Sequence, residues 1–326
     1  MKIIALLPVR NEAWVLPTFL SSVKPLCDEI IAINNGSTDS SREILQKNNV
    51  IIKDIPSPKG KPFAMSTLRQ ELLNLGRERG GTHFIWLDAD EAFTYPFIKN
   101  GREIISKLVP GQKIILHWLA LWDSINEYRD DDSVWSNNYK DFIVCDDKKS
   151  NFEYKFLSEA RTNGKNENYI KLPTNEGAVL HYQFSAWEHF QMKQAWYRCS
   201  ELIKNPNNAQ NINITYSITL KDNDIKTKNI PREWLNTISV PNINNLSISQ
   251  HYTEIINWFD DYGINFFEPL EIWHIKKLKD EFKKRMDRNP KNKNKIVKTI
   301  KTLLRNIYEK NKNCIHKIWR IISWWN

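Results

Sequence analysis

In "FIWLDADEAF", Phe84–Phe93, four large apolar residues are followed by carboxylates at Asp88, Asp90 and Glu91. A short apolar run of this kind is typical of a strand that is buried on both faces. Carboxylates this close repel one another unless they protonate, separate or share a cation. Since Mg2+ and similar ions bind carboxylate oxygens and substrate phosphates, the stretch predicts a buried strand that ends in a metal site. For a D-x-D motif taken alone, a solvated turn is the alternative.

Outward from this stretch, strand and helix patterns alternate over the first hundred residues. The predicted strands cover residues 3–7, 29–34, 50–55 and 83–88, and the predicted helices include residues 14–23 and 64–75. Such alternation predicts an α/β fold with a mostly parallel sheet flanked by helices. In sheets of this kind, ligands bind beyond the carboxyl ends of the strands.

Three of these strand ends carry polar sequence: "PVRNEA" at 8–13, "NNGSTD" at 34–39 and "DADE" at 88–91. Each motif alone is weak evidence, and "NNGSTD" also fits an ordinary turn whose Ser, Thr or Asp caps the next helix. Their order and their strand-to-helix context are more specific than any one of them. Together they predict a ligand site assembled from three loops.

In this order the motifs resemble the nucleotide-sugar-binding half of family 2 glycosyltransferases, which are inverting enzymes with a GT-A fold. The resemblance is carried by "LLPVRNEAWVLPTFL", "EIIAINNGSTDSSREIL" and "FIWLDADEAF", and it extends loosely to about residue 200. It implies a GT-A-like sheet with a helical C-terminal extension. It also implies metal-dependent transfer of a sugar from a nucleotide-diphosphate donor, with UDP-sugars favoured, to a hydroxyl acceptor. Surface-polysaccharide or glycolipid assembly is the expected setting, with a saccharide or lipid-linked saccharide as acceptor.

The resemblance also implies roles for individual residues. The nucleotide-sugar would contact Pro8, Asn11, Glu12, Asn34, Asn35, Asp39, Arg69 and Asp88, while Mn2+ or Mg2+ would be held by Asp88, Asp90 and His181. Amides stand at positions 34 and 35, where the family commonly has acidic residues; an amide can still pair with a base edge, so the choice of base is less certain. Lys59 and Lys61 are further candidates for phosphate contact, with a solvated basic loop as the alternative.

His181 and the catalytic base are weaker assignments. His181 follows Asp90 by 91 residues, which is where similar enzymes have a histidine metal ligand; a buried core histidine is the alternative. His189, on the helix that follows, is interpreted as a core residue. An inverting transfer needs an ionised carboxylate to take the proton of the acceptor hydroxyl. The candidates are Glu91, Asp123, Glu127, Asp141, Glu159 and Glu176, of which Glu91 and Glu176 are preferred.

The predicted domain organisation is a glycosyltransferase domain at 1–204, with its nucleotide-sugar-binding half at 1–100, a mostly helical extension at 205–290 and a basic amphipathic tail at 291–326. The tail carries the whole formal net charge of +9, and the rest of the chain is balanced. This location argues against nucleic-acid binding by the body. Basic helices with terminal tryptophans suit an anionic membrane surface, whereas packing on the protein or on a partner is the alternative.

Four widely spaced cysteines and a first apolar run too short for a signal peptide predict a cytoplasmic protein, with the tail peripheral on the inner face of the membrane. Two other function classes stay open. A nucleotidyltransferase would also use carboxylates, a metal and a nucleotide, but it would release pyrophosphate. A non-catalytic basic protein would act through its tail alone.

Overall fold

The computed structural model describes residues 1–56, 65–133, 135–152, 161–163, 168–217, 225–243, 246 and 249–291. In its described residues the chain divides into two compact units. The first contains Met1–Phe190 and Asn223–Leu246, and the second contains Gln191–Asp222 and Ser247–Asn326.

The first unit is built on one large sheet. Its strands are β1 (Ile3–Val9), β2 (Glu29–Asn34), β3 (Ile51–Asp54), β4 (His83–Trp86), β5 (Glu91–Phe93), β6 (Lys113–Ala120), β8 (Tyr139–Cys145), β9 (Tyr169–Lys171) and β10 (Ala178–His181). A separate ribbon pairs β7 (Glu127–Arg129) with β11 (Thr227–Asn229). The strand order is β3-β2-β1-β4-β8-β6-β10-β5, with β9 beside β6.

Most neighbours in this sheet are parallel. β1, β2, β3 and β4 run in one direction, and β6 and β10 share it because the antiparallel strand β8 lies between β4 and β6. The carboxyl ends of β1, β2, β3, β4, β6 and β10 therefore lie at the same edge of the sheet. The predicted α/β fold with a mostly parallel sheet is confirmed.

The helices of this unit are α1 (Leu16–Val23), α2 (Ser41–Lys47), α3 (Met65–Glu78) and α4 (Tyr95–Ser106). Residues of alternating parity along β1 pack on opposite faces. Ile3, Ala5 and Leu7 belong to a core with α1 and α4, while Ile4 and Leu6 pack with apolar residues of α3. This burial on both faces is why the strands read as continuous apolar runs.

The second unit is helical. It contains most of α5 (Trp187–Lys204), with α6 (Ala209–Ser217), α7 (Ser249–Tyr262), α8 (Ile264–Phe267) and α9 (Lys276–Met286). The predicted boundary at residue 204 differs from the observed division after Phe190. The reason is that the apolar face of α5, with Met192, Ala195, Cys199 and Leu202, packs into the core of the second unit.

β10 ends at His181, and a 3-10 turn follows at Tyr182–Phe184. The Tyr182 N–H donates to the Asp90 carbonyl, and the Ser185 N–H closes the turn by donating to the Tyr182 carbonyl. The fourth strand ends at Trp86, so the D-x-D motif lies in the turn between β4 and β5.

Within the described residues, no helix has both the length and the apolar character needed to cross a bilayer.

Candidate active site

The loops that follow β1 and β2 are joined by hydrogen bonds at the edge of the sheet where the carboxyl ends of the strands lie. The Asn11 Oδ1 accepts from the backbone N–H of Thr38 at 2.6 Å and of Asp39 at 3.2 Å. In return, the Asp39 carboxylate accepts from the Ala13 N–H at 3.0 Å and from the Ser41 N–H at 2.9 Å. Asn11 has a φ of 56°, a left-handed conformation that asparagine tolerates better than most residues. The motifs "RNE" and "NGSTD" thus form one rigid surface.

Beside this surface, Asn34 and Asn35 differ in what they contact. Asn34 Nδ2 donates to Asp54 Oδ1 at 2.8 Å, and Asn34 Oδ1 accepts from the Ser37 N–H. The hydrogen bond from Asn34 lowers the pKa of Asp54, and Arg42 adds to this. Asn35 Oδ1 is buried and has no hydrogen-bond partner among the described residues. A buried acceptor of this kind can be satisfied by a bound water or by a ligand donor, such as the N–H of a nucleobase.

The D-x-D turn follows β4, which is the neighbour of β1 in the sheet. The last register pair between β1 and β4 is Leu6 with Trp86, so Pro8 and Asp88 each lie two residues beyond it towards the carboxyl edge; Pro8 is half-buried. Glu12 is also near this edge, where its carboxylate accepts from the Trp14 indole N–H at 2.9 Å. The predicted donor-binding residues of the three motifs therefore gather at one edge of the sheet.

Asp88 is held by two arginines. Arg69 Nη2 lies 3.4 Å from Asp88 Oδ1, and Arg161 Nη2 lies 3.2 Å from Asp88 Oδ2. Burial raises the pKa of Asp88, but the charges of Arg161 and Arg69 outweigh it and lower that pKa below its usual value. A third of the Asp88 side chain stays exposed, so one side of this carboxylate can face a ligand. The two arginines therefore balance the negative charge of Asp88, and Arg161 also balances that of Glu91.

Glu91 is fully buried, and four donors converge on its carboxylate. Oε1 accepts from Trp118 Nε1 at 2.6 Å and from Arg161 Nη2, while Oε2 accepts from Arg161 Nη1 at 2.7 Å and from the Asp88 N–H at 2.9 Å. A carboxylate has about four lone-pair sites, so this set uses all of them. The geometry favours an anchoring role for Glu91 over proton transfer to or from a substrate.

Asp90 and His181 face each other across the turn. His181 Nε2 lies 3.7 Å from Asp90 Oδ2, and both side chains are more than nine-tenths buried. The imidazole stacks on Trp118 with ring centroids 4.2 Å apart, and its Nδ1 has no partner among the described residues. His181 is the last residue of β10, where it is register-paired with Glu91 of β5. This pair is the candidate metal centre.

The described residues include no group of three or more His, Cys, Asp or Glu side chains arranged around a common point for a metal. The predicted trio of Asp88, Asp90 and His181 is therefore not drawn together as one ligand set. The two arginines hold Asp88, whereas Asp90 faces His181.

The other base candidates are dispersed. Glu176 precedes β10 at the opposite edge of the sheet, about 16 Å of extended chain from His181, and is exposed. Asp141 contacts Lys113 and Thr162, and Glu127 contacts Thr227. Asp123 is exposed, has a φ of 52°, and its N–H donates to the Phe184 carbonyl beside His181. His189 is buried against Trp14, as its core interpretation requires.

Several predicted features lie outside the described residues. These are Lys59, Lys61, Glu159 and the tail from residue 292 onward.

Sequence reasoning missed Arg161, Asp54 and Trp118. Asp54 had a usable signal, since it ends the third strand of a parallel sheet at the edge where the other motifs lie. Arg161 had none, because "EARTNGKNEN" reads as an ordinary polar loop. Trp118 was indistinguishable from Trp122 and Trp135, which follow β6 in the sequence.

Part of the sequence matches a known family. Residues 5–107 match the model described as glycosyl transferase family 2. The matched segment contains all three motifs and covers about a third of the chain, so the match confirms the resemblance to this family and supports the predicted glycosyltransferase class. No curated protein matches the chain.

Similar solved structures are more distant. The crystal structure of S. aureus TarS 1-349 is 13% identical with a TM-score of 0.38 and covers 84% of this chain and 83% of that chain. Glucosyl-3-phosphoglycerate synthase from Mycobacterium tuberculosis, in complex with Mn2+ and uridine-diphosphate-glucose, is 18% identical with a TM-score of 0.26 and covers 36% and 43%. The alignments with the first three similar structures span only 41%, 44% and 44% of those chains. The assignment depends on the family match.

Proposed function

We propose that this protein transfers a sugar, with inversion, from a nucleotide-diphosphate donor to the hydroxyl of a saccharide or lipid-linked saccharide. The observation that carries the proposal is the convergence of the three motif loops and His181 at one sheet edge. UDP-sugars are the favoured donors, and Asn35 Oδ1 supports a nucleobase there because a buried acceptor without a partner suits the imide N–H of uracil.

The residues present fit a divalent cation. Two ligand atoms at about 2.1 Å from one ion are about 3.0 Å apart at a right angle and about 4.2 Å apart when opposite. The 3.7 Å between Asp90 Oδ2 and His181 Nε2 lies within this range. Mn2+ or Mg2+ held by this pair would stabilise the negative charge that develops on the departing nucleoside diphosphate. One carboxylate and one imidazole leave coordination positions for donor phosphates and water, as is usual for these metals.

The chain's own residues have separable tasks in this proposal. The surface formed by Asn11 and Asp39 supports the nucleoside, and Asn35 accepts from the base. Asp88, oriented by its two arginines, faces the donor. Trp118 fixes the His181 ring by stacking, which holds Nε2 towards Asp90. Attachment of the tail to an anionic membrane surface is a further part of the proposal, and it rests on charge and sequence alone.

Donor binding tests this function. In the presence of Mn2+, a matching nucleotide-sugar at 100 times its Kd should stabilise the protein by about 2.7 kcal/mol, which thermal denaturation detects. His181→Gln should weaken Mn2+ binding by about 10- to 100-fold. The matched control is His83→Gln, because His83 is equally buried but lies at the amino end of β4, at the opposite edge.

Two outcomes would contradict the proposal. One is a wild-type protein that no nucleotide-sugar stabilises with either metal. The other is an equal loss of Mn2+ affinity in His181→Gln and His83→Gln, which would make the histidine effect a general consequence of disturbing the core.

A further inference from the structure

Arg161 makes the densest set of charged contacts among the described residues around the D-x-D turn. Its two terminal nitrogens donate to the two oxygens of Glu91, and Nη2 also lies 3.2 Å from Asp88 Oδ2. The side chain is 7% exposed, and its guanidinium lies over the Phe142 ring at 4.9 Å. Burial lowers the pKa of Arg161, but Glu91 and Asp88 outweigh it, so the group is fixed as a cation.

Glu91 connects this cation to the backbone of the turn. The same carboxylate oxygen that accepts from Arg161 Nη1 also accepts from the Asp88 N–H. Glu91 is itself register-paired with His181 between β5 and β10. Arg161 therefore reaches Asp88 twice, directly at the carboxylate and indirectly at the backbone through Glu91.

The two residues that follow Arg161 in the sequence hold the main chain in place through hydrogen bonds to other parts of the structure. Thr162 donates from its hydroxyl to Asp141 of β8, and Asn163 Nδ2 donates to Asp146 Oδ1 at 3.0 Å. Thr162 and Asn163 are both almost completely buried. The position of Arg161 is thus set by β8 as well as by its ion pair, so the guanidinium approaches the turn from a fixed point.

From these contacts we propose that Arg161 is a positioning residue, which holds the Asp88 carboxylate in its donor-binding orientation through a bidentate clasp on Glu91. The inference rests on the proposed function for the donor, but the contact itself does not. An aspartate side chain that is one-third exposed would otherwise sample several orientations, and each donor would bear the cost of ordering it. Only a planar fork can hold both oxygens of Glu91 and still reach Asp88, so lysine is not an equivalent.

The first test compares Arg161→Lys with Arg79→Lys. Arg79 is the control because it also makes a bidentate pair, with Glu29 at 2.6 Å and 3.1 Å, at the amino end of β2 and thus at the edge of the sheet opposite the D-x-D turn. Loss of a charged hydrogen bond that orients Asp88 should raise the Kd for the UDP-sugar by about 10-fold or more in Arg161→Lys. Arg79→Lys should change that Kd by less than about 2-fold. Equal donor affinity in the two variants overturns the proposal.

If Arg161→Lys is too unstable to assay, the paired variant Glu91→Gln/Arg161→Gln replaces the ions with two amides that can bond to each other. The paired variant removes the guanidinium of Arg161 without leaving the Glu91 carboxylate as a buried, unpaired charge, which would destabilise the protein. The expected loss of donor affinity is the same, and wild-type affinity in the paired variant overturns the proposal.

A second test needs no donor. Asp88→Asn is introduced into the wild type and into Arg161→Lys, and the Tm of all four proteins is measured. If Arg161 holds Asp88, the shift caused by Asp88→Asn is smaller in the Arg161→Lys background, since neighbouring groups that interact are not additive. Equal shifts overturn the proposal. Non-additive shifts in a protein that binds no nucleotide-sugar would refute the proposed function while supporting the role of Arg161.

Discussion

The contact between the loops after β1 and β2 yields a stability prediction whose size follows from the structure. Asn11→Ala removes the oxygen that accepts from the Thr38 and Asp39 N–H groups, and it places alanine at a φ of 56°. Two hydrogen bonds at about 1 kcal/mol each, with about 1 kcal/mol for a left-handed alanine, give a total loss of about 3 kcal/mol. Equilibrium denaturation in urea measures this loss directly.

Asn49→Ala is the matched control. Asn49 has a φ of 57° just after the end of α2. Its backbone N–H donates to the Gln46 carbonyl, and this hydrogen bond does not involve the Asn49 side chain. The variant keeps that backbone bond and pays only the conformational cost, so we expect a loss of about 1 kcal/mol. Equal losses in Asn11→Ala and Asn49→Ala would refute the claim that the Asn11 side chain fastens the two loops.

Two further predictions concern the frame of the site. Hydrogen bonding to Arg79 lowers the pKa of Glu29 to about 2, so its contribution is present above about pH 4.5 and is lost as the pH falls towards 2. Glu29→Gln should lower the free energy of unfolding by about 1 kcal/mol at pH 7, a small loss because the ion pair is partly exposed to solvent. If the difference in unfolding free energy between variant and wild type stays the same as the pH falls to 2, this prediction is wrong. Gly76→Ala should destabilise the protein despite the better helix propensity of alanine, because the added Cβ would lie 2.6 Å from the Phe84 ring. A rise in its denaturation midpoint would show that the ring moves away freely.

The sequence predicts the parallel half of the fold because its strands are covered on both faces and so read as uninterrupted apolar runs. It predicts the edge where the site lies for the same reason, since each strand end is marked by a change from apolar to polar residues. The predicted length of β4 was too great because apolar Leu87 continues the pattern into the turn. Nothing in a one-dimensional pattern distinguishes a strand residue from the first residue of a buried turn.

Long-range pairing is the part that the sequence could not give. Glu91 looked like a candidate base because it adjoins the D-x-D motif, but its four donors come from Arg161, Trp118 and the Asp88 backbone. Arg161 is 70 residues away in a polar stretch without periodicity. Glu176 was close to His181 in sequence, yet a strand of β10's length places the two at opposite edges. Two residues that are close in sequence can therefore lie at opposite edges of the sheet when a strand connects them.

The most direct test of the central claim is the product formed from the donor. The wild-type protein is incubated with Mn2+ and a panel of UDP-sugars, with and without saccharide acceptors. A parallel incubation contains a nucleoside triphosphate and a sugar phosphate, and the released nucleotide or pyrophosphate is separated by ion-exchange chromatography. Our account predicts nucleoside diphosphate from at least one donor, at a rate that Asp90→Asn lowers by about 100-fold, a loss typical of removing a group that stabilises transition-state charge. Pyrophosphate released from a nucleoside triphosphate, or unchanged nucleoside diphosphate release by Asp90→Asn, would contradict it.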